Sequence, residues 1–183
     1  MQYEDVVEVL AYQREWPYAA RASTALQLSD PRRETWLESY SFVNLHHVGL
    51  ALPEPQVDVL DAFGRFVARV DGLWDGTTVG EPDGRVKYDL RGVLGALADP
   101  QASAEELISR AQRRLDKEKI RRDLLNDLGL EVVRWGLIEV VHDLAGLAQR
   151  IERRRTSAST GRFTGRLRFQ PAPQWLASGR AAA

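Results

Sequence analysis

The sequence predicts an α+β fold with a mixed central sheet flanked by helices. Three observations predict it. Residues 56–83 read as short alternating strands, punctuated by turn signals at Asp61–Gly64, Asp75-Gly76 and Asp83-Gly84. Residues 104–128 carry apolar side chains at helical spacing on a strongly charged background, and Gly129 follows as a stop. Glu131–Trp135 (EVVRW) is a short apolar strand set between that helix and another.

At 183 residues the chain is one domain with a small appendage, long enough to bury a sizeable core. Its net charge of −1 gives no global nucleic-acid signal, so any such contact rests on local patches. It has no cysteine, which excludes disulfides and thiolate metal sites. No apolar run is long enough to span a membrane, and the N-terminus lacks the basic and apolar regions of a secretion signal. A cytoplasmic protein without a membrane partner is expected.

Residues 3–15 read as an amphipathic helix, apolar at Val6, Val7 and Leu10, and residues 18–28 as a second, short one. Ser29-Asp30-Pro31 is a break. Residues 1–29 thus form a helical segment without a catalytic motif, read as a helical cap, the remnant of a DNA-binding region or an interaction surface. Thr35 and Glu38 have capping-box spacing, and the helix they open runs to about Leu50. His46 and His47 are adjacent, point in different directions on that helix, and are read as surface or interface residues. Leu52–Gln56 is a rigid proline-bounded loop. Gln56–Leu60 is the first strand of a meander.

The second strand puts Val67, Arg69, Asp71 and Leu73 on one face, with Phe66, Ala68 and Val70 on the other. The third carries Val79, Glu81 and Asp83 on one face. Asp71, Glu81 and Asp83 therefore collect at one end of a hairpin, with Lys87 just beyond. Crowded carboxylates repel, and favour a shared proton or a bound divalent cation. Hard oxygen donors select Mg²⁺ or Mn²⁺, and a nearby Lys that handles water at the metal suits phosphodiester hydrolysis. Register decides whether the cluster exists. A two-residue loop sets Asp71 opposite Gly80, with Glu81 facing away; a three-residue loop sets Asp71 opposite Glu81 on one face. The alternative is a solvated hairpin whose acids simply mark its turns.

Along the long helix seven basic and six acidic residues lie between Glu105 and Asp127, the pattern of a salt-bridged, solvated helix. Its apolar phase slips near Lys117–Lys119, so that Glu118 or Arg122 turns inward. The last helix is expected over 137–154, with His142 at its boundary. From Gln149 to Phe169 there are seven Arg against Glu152 alone, with Phe163 and Phe169 interleaved. That run suits phosphate contact, and equally a solvated tail that is partly disordered.

The run VDGLWDGTTVGEPDGRVKY resembles the core of a nuclease-like family widespread in actinobacteria. That family is related to very-short-patch-repair endonucleases within the PD-(D/E)xK restriction-endonuclease superfamily, and often forms the C-terminal half of proteins resembling AbiEi-type antitoxins. Asp71, Trp74, Glu81, Asp83, Gly84, Lys87 and Tyr88 match its pattern. EKIRRDLLNDLGLEVVRW resembles a second block, in which Arg122 and Asn126 replace a usual Glu and Arg. ETWLES matches the family's first core helix loosely, with Phe42 where an Arg is common.

The resemblance covers residues 30–152, leaving 153–183 as an Arg-rich, partly disordered tail. It implies a restriction-endonuclease-like core in which Glu131–Trp135 extends the sheet in parallel. It further implies Asp71 and Glu81 as ligands of Mg²⁺ (or Mn²⁺), and Asp83 as an accessory ligand or a neighbour supporting one. Lys87 would position water or phosphate, although the superfamily usually has its Lys where this chain has Asp83. Glu38 would lie near the site. Arg121, Arg122, Arg153, Arg154 and Arg155 are the candidate nucleic-acid contacts. The expectation is a metal-dependent DNA endonuclease of repair or phage defence, with a protein partner or homodimer possible. The alternative is a non-catalytic DNA- or partner-binding module of antitoxin or regulatory type on a nuclease scaffold.

Overall fold

The computed structural model describes residues 3–84, 104–158, 160–173 and Leu176. They divide into two compact units, Met1–Glu34 with Pro171–Ala183, and Thr35–Gln170. In the first, helices α1 (Tyr3–Tyr12) and α2 (Ala19–Leu28) are joined through Tyr18, whose φ is 69°. Asp30 closes the segment with a two-pronged pair to Arg32, 3.0 and 2.8 Å.

The second unit is α+β. Its elements are α3 (Trp36–His47), β1 (Glu54–Leu60), β2 (Phe66–Trp74), β3 (Thr78–Pro82), α4 (Ala104–Asp127), β4 (Glu131–Trp135), α5 (Leu137–His142), α6 (Leu144–Ser157), a 3₁₀ turn (Thr160–Arg162) and β5 (Arg166–Arg168). The five strands form one mixed sheet in the order β4-β3-β2-β1-β5. The meander is antiparallel and β4 pairs with β3 in parallel. Three details depart from the sequence reading. The single C-terminal helix is two, because the Asp143 carboxylate accepts from Gly146 N–H at 3.1 Å and starts a new helix there. The first strand begins two residues early, at Glu54. Residues 153–170, read as part of a tail, form the end of α6, a 3₁₀ turn and β5, which pairs with β1.

Two buried clusters hold the sheet. Phe42, Leu45, Trp74, Val133, Trp135, Leu147 and Ile151 join α3 and α6 to one side. Leu73, Val79, Leu125 and Leu130 belong to the other, with Val132 packed against it. Neighbours such as Leu73 and Trp74 thus feed opposite cores, as strand alternation requires. Close approach to the first core depends on two glycines facing each other across β2 and β3. A Cβ at Gly72 would lie 2.7 Å from the Phe42 ring, and one at Gly80 would lie 2.5 Å from Trp74 and 2.8 Å from Trp135. Among the described residues no helix is long and apolar enough to cross a membrane.

Candidate functional site

The β2–β3 loop has three residues. Trp74 pairs with Thr78, Leu73 with Val79 and Gly72 with Gly80, leaving Asp75, Gly76 and Thr77 to turn the chain. Asp75 (φ 51°) and Gly76 (φ 70°) supply the left-handed conformations that such a turn needs. The pairing ends at Gly72–Gly80; continued by one position, the same register would bring Asp71 opposite Glu81. On the other side of β2, Pro55 pairs with Gly72 and Val57 with Val70, so Gln56 falls opposite Asp71. Across β3, Glu81 pairs in parallel with Arg134. That register would align Arg134, Glu81, Asp71 and Gln56 as a polar row across four strands.

The row extends to α3. The Gln56 amide donates to Glu38 Oε2 at 3.0 Å, and the Thr35 hydroxyl donates to Glu38 Oε1 at 2.8 Å. Thr35 Oγ1 also accepts from Glu38 N–H at 3.2 Å, so the cap read from the sequence is present. Its carboxylate is carried into the interior and is 3% exposed. Gln56 is itself buried and has φ 52°, a conformation that costs a non-glycine residue about 1–2 kcal/mol. Strain of this kind inside a strand persists only where surrounding contacts fix it, and it gathers at functional sites.

Glu81, 4% exposed, is held between two guanidiniums. Arg121 Nη2 donates to Oε1 at 2.5 Å and Arg134 Nε donates to Oε2 at 2.5 Å. Arg134 Nη2 also donates to Glu118 Oε2 at 2.8 Å, and Arg121 Nη1 to the Arg69 carbonyl at 3.1 Å. Burial alone would lower the pKa of Arg134, but Glu81 and Glu118 outweigh it and raise it above the ordinary guanidinium value. The helix phase slip is thus resolved: Glu118 turns inward, and Arg121 rather than Arg122 accompanies it. Arg122 is half exposed beside Asp123.

Asp83 follows β3, its N–H donating to the Trp135 carbonyl at 2.7 Å. Lys87 and Tyr88 lie outside the described residues. Among the described residues no three carboxylates or histidines gather as a metal-holding group. Asp71 and Asp83 offer the hard oxygens that Mg²⁺ or Mn²⁺ takes. Glu81 as folded does not fit as a ligand, since both oxygens already accept from arginine. Phe42, where the resembled family often has Arg, is wholly buried against Trp74 and Trp135. Of the C-terminal arginines, Arg154 meets Glu131 at 2.9 Å, and Arg155 meets Asp75 at 2.7 Å and Glu152 at 2.6 Å. Arg153 is exposed, beside an open hollow of about 470 Å³ that it lines with Gln149, Glu152, Thr156 and Ser157.

Sequence reasoning missed Asp58, whose side chain is 1% exposed. Arg69 Nε reaches it at 2.7 Å and Arg168 Nη2 at 2.8 Å, and Gln170 joins at 3.3 Å. The signal was an acid alone in the apolar run Val57–Leu60. The Arg69 hydrogen bond, reinforced by Arg168 and opposed by burial, lowers its pKa below the ordinary value. A carboxylate with a depressed folded pKa stabilises the fold above the unfolded pKa of about 3.9, and that contribution fades as pH falls through the folded value. Urea midpoints of wild type and Asp58→Asn, followed from about pH 6 to pH 2, are expected to differ most at the upper end and to converge at the lower. A gap that stays constant would show that the pair with β5 carries no net stability.

Comparison with protein-family models, curated proteins and solved structures returns no match for this chain.

Proposed function

We propose that this chain is a divalent-metal-dependent endonuclease acting on DNA phosphodiesters. The observation that carries this reading is the three-residue β2–β3 loop, whose register, continued past Gly72–Gly80, would align Asp71 with Glu81. Burying Glu38 on α3 and Gln56 and Glu81 in the sheet costs stability that apolar residues would not, which supports reading them as a site. Mg²⁺ or Mn²⁺ held by Asp71 and Asp83 would supply Lewis-acid chemistry at the phosphate. The chain's own residues prepare the surroundings. Gln56 and Thr35 hold Glu38 fixed, Arg121 and Arg134 neutralise Glu81 so that it does not add to the repulsion at Asp71, and Lys87 is the candidate for contact with water or phosphate.

One observation favours a non-catalytic DNA- or partner-binding module instead: both oxygens of Glu81 are already bound by arginine. Nicking of supercoiled plasmid with Mg²⁺, Mn²⁺ or EDTA separates the two readings. The endonuclease reading expects metal-dependent nicking that falls by about a hundredfold or more in Asp71→Ala, the scale on which catalytic groups contribute. Nicking by Glu81→Ala at an appreciable rate would assign the ligand role to Asp71 and Asp83 without Glu81. DNA binding without cleavage under every metal condition would favour the binding module.

A further inference from the structure

We propose that the outer face of the β2–β1–β5 part of the sheet binds single-stranded nucleic acid, stacking bases on phenylalanine rings and pairing phosphates with arginines. The register builds the surface. One cross-strand row is Arg69–Asp58–Arg168 and another is Phe66–Leu60–Arg166, while the row between them, Ala68–Val59–Leu167, turns into the core. Arg69, Arg168, Phe66 and Arg166 therefore share the solvent side of three adjacent strands. The β1–β2 turn adds Phe63 and Arg65, with the guanidinium 5.4 Å from the ring centre.

The side chains on this face are open to solvent. Phe63 is 84% exposed and Phe66 59%. The fold gains little from two exposed rings, and apolar groups collected on a solvated face mark a binding surface. Their neighbours name the ligand. Among the described residues Arg65 pairs with Asp61, and Arg69 and Arg168 with Asp58, while Arg166 adds a further cation, so these six side chains are net positive. Rings interleaved with guanidiniums match a polyanion whose bases have open π-faces. A duplex shows only base edges and phosphates, and would leave the rings without a use. Arg69 is two residues from Asp71 along β2. The inference does not require cleavage there.

The test is fluorescence anisotropy of a labelled oligothymidylate of roughly 20 nucleotides in EDTA, beside a hairpin duplex of equal length. Wild type is expected to prefer the single strand. Phe63→Ala and Phe66→Ala, both at exposed positions, should keep the wild-type melting temperature and weaken binding by roughly five- to a hundredfold each. Arg166→Gln should reduce the slope of log affinity against log salt by about 0.7. Equal affinity for the hairpin, phenylalanine variants that bind like wild type, or no saturable binding would each overturn the proposal.

Discussion

Glu81→Gln is expected to destabilise the protein by about 3 kcal/mol, the size typical of removing one partner from a buried ion pair, reduced because both arginines keep some contact with water. The glutamate is the shared acceptor for Arg121 on α4 and Arg134 on β4, so it ties both elements to β3. A glutamine at the same place accepts from one arginine only and presents an amide N–H₂ to the other. Two guanidiniums are then left facing one neutral side chain, with Glu118 as the remaining nearby anion. Arg134→Gln should cost less, because Arg121 continues to neutralise Glu81. The sign matters more than the size. A carboxylate kept for metal binding among like charges is relieved by neutralisation, and its amide variant gains stability. Urea unfolding of Glu81→Gln at neutral pH separates the two: a lowered midpoint shows the clamp operating in solution, and a raised one shows a carboxylate free for a cation.

Phe42→Ala is expected to cost about 3–5 kcal/mol, the usual loss for truncating a fully buried phenylalanine. Its ring meets Trp74 and Trp135 edge-on, with centroids 5.9 and 6.0 Å away, and it lies over the Gly72 backbone. The ring fills the space between Trp74, Trp135 and Gly72, so its removal leaves a cavity that α3 closes only by moving toward the sheet. Against a total stability of about 5–15 kcal/mol for ordinary domains, this one change approaches global unfolding. Loss of cooperative unfolding followed by tryptophan fluorescence would report it. A loss under about 1 kcal/mol would show that the α3–sheet contact is looser than the buried rings imply.

The helices and strands were legible because their signals are local. Thr35 and Glu38 announce the cap of α3, Gly129 ends α4 with φ 91°, and the apolar run Glu131–Trp135 marks β4. The acids of the hairpin were legible too, since Asp71, Glu81 and Asp83 lie within one short stretch. Local spacing could not decide which partners those acids meet. Two-residue and three-residue loops share the same Asp75-Gly76 signal, and only pairing with Thr78 selects the register that, continued past Gly72–Gly80, would align Asp71 with Glu81. Helix periodicity placed Arg121 and Arg122 almost equally well, and a rotation of one residue separates a buried clamp from a solvated cation.

By itself the sequence determined the α+β order of elements and the acidic hairpin, through side-chain alternation, capping and turn chemistry within a few residues. Only the tertiary structure decided that Glu81 is enclosed by Arg121 and Arg134, that Asp58 anchors Arg69 and Arg168, and that residues 166–168 complete the sheet. Those contacts join positions 40 to 110 residues apart, apart from the short link from Asp58 to Arg69. Charge pairing depends on distance through space, and a one-dimensional pattern does not carry that distance.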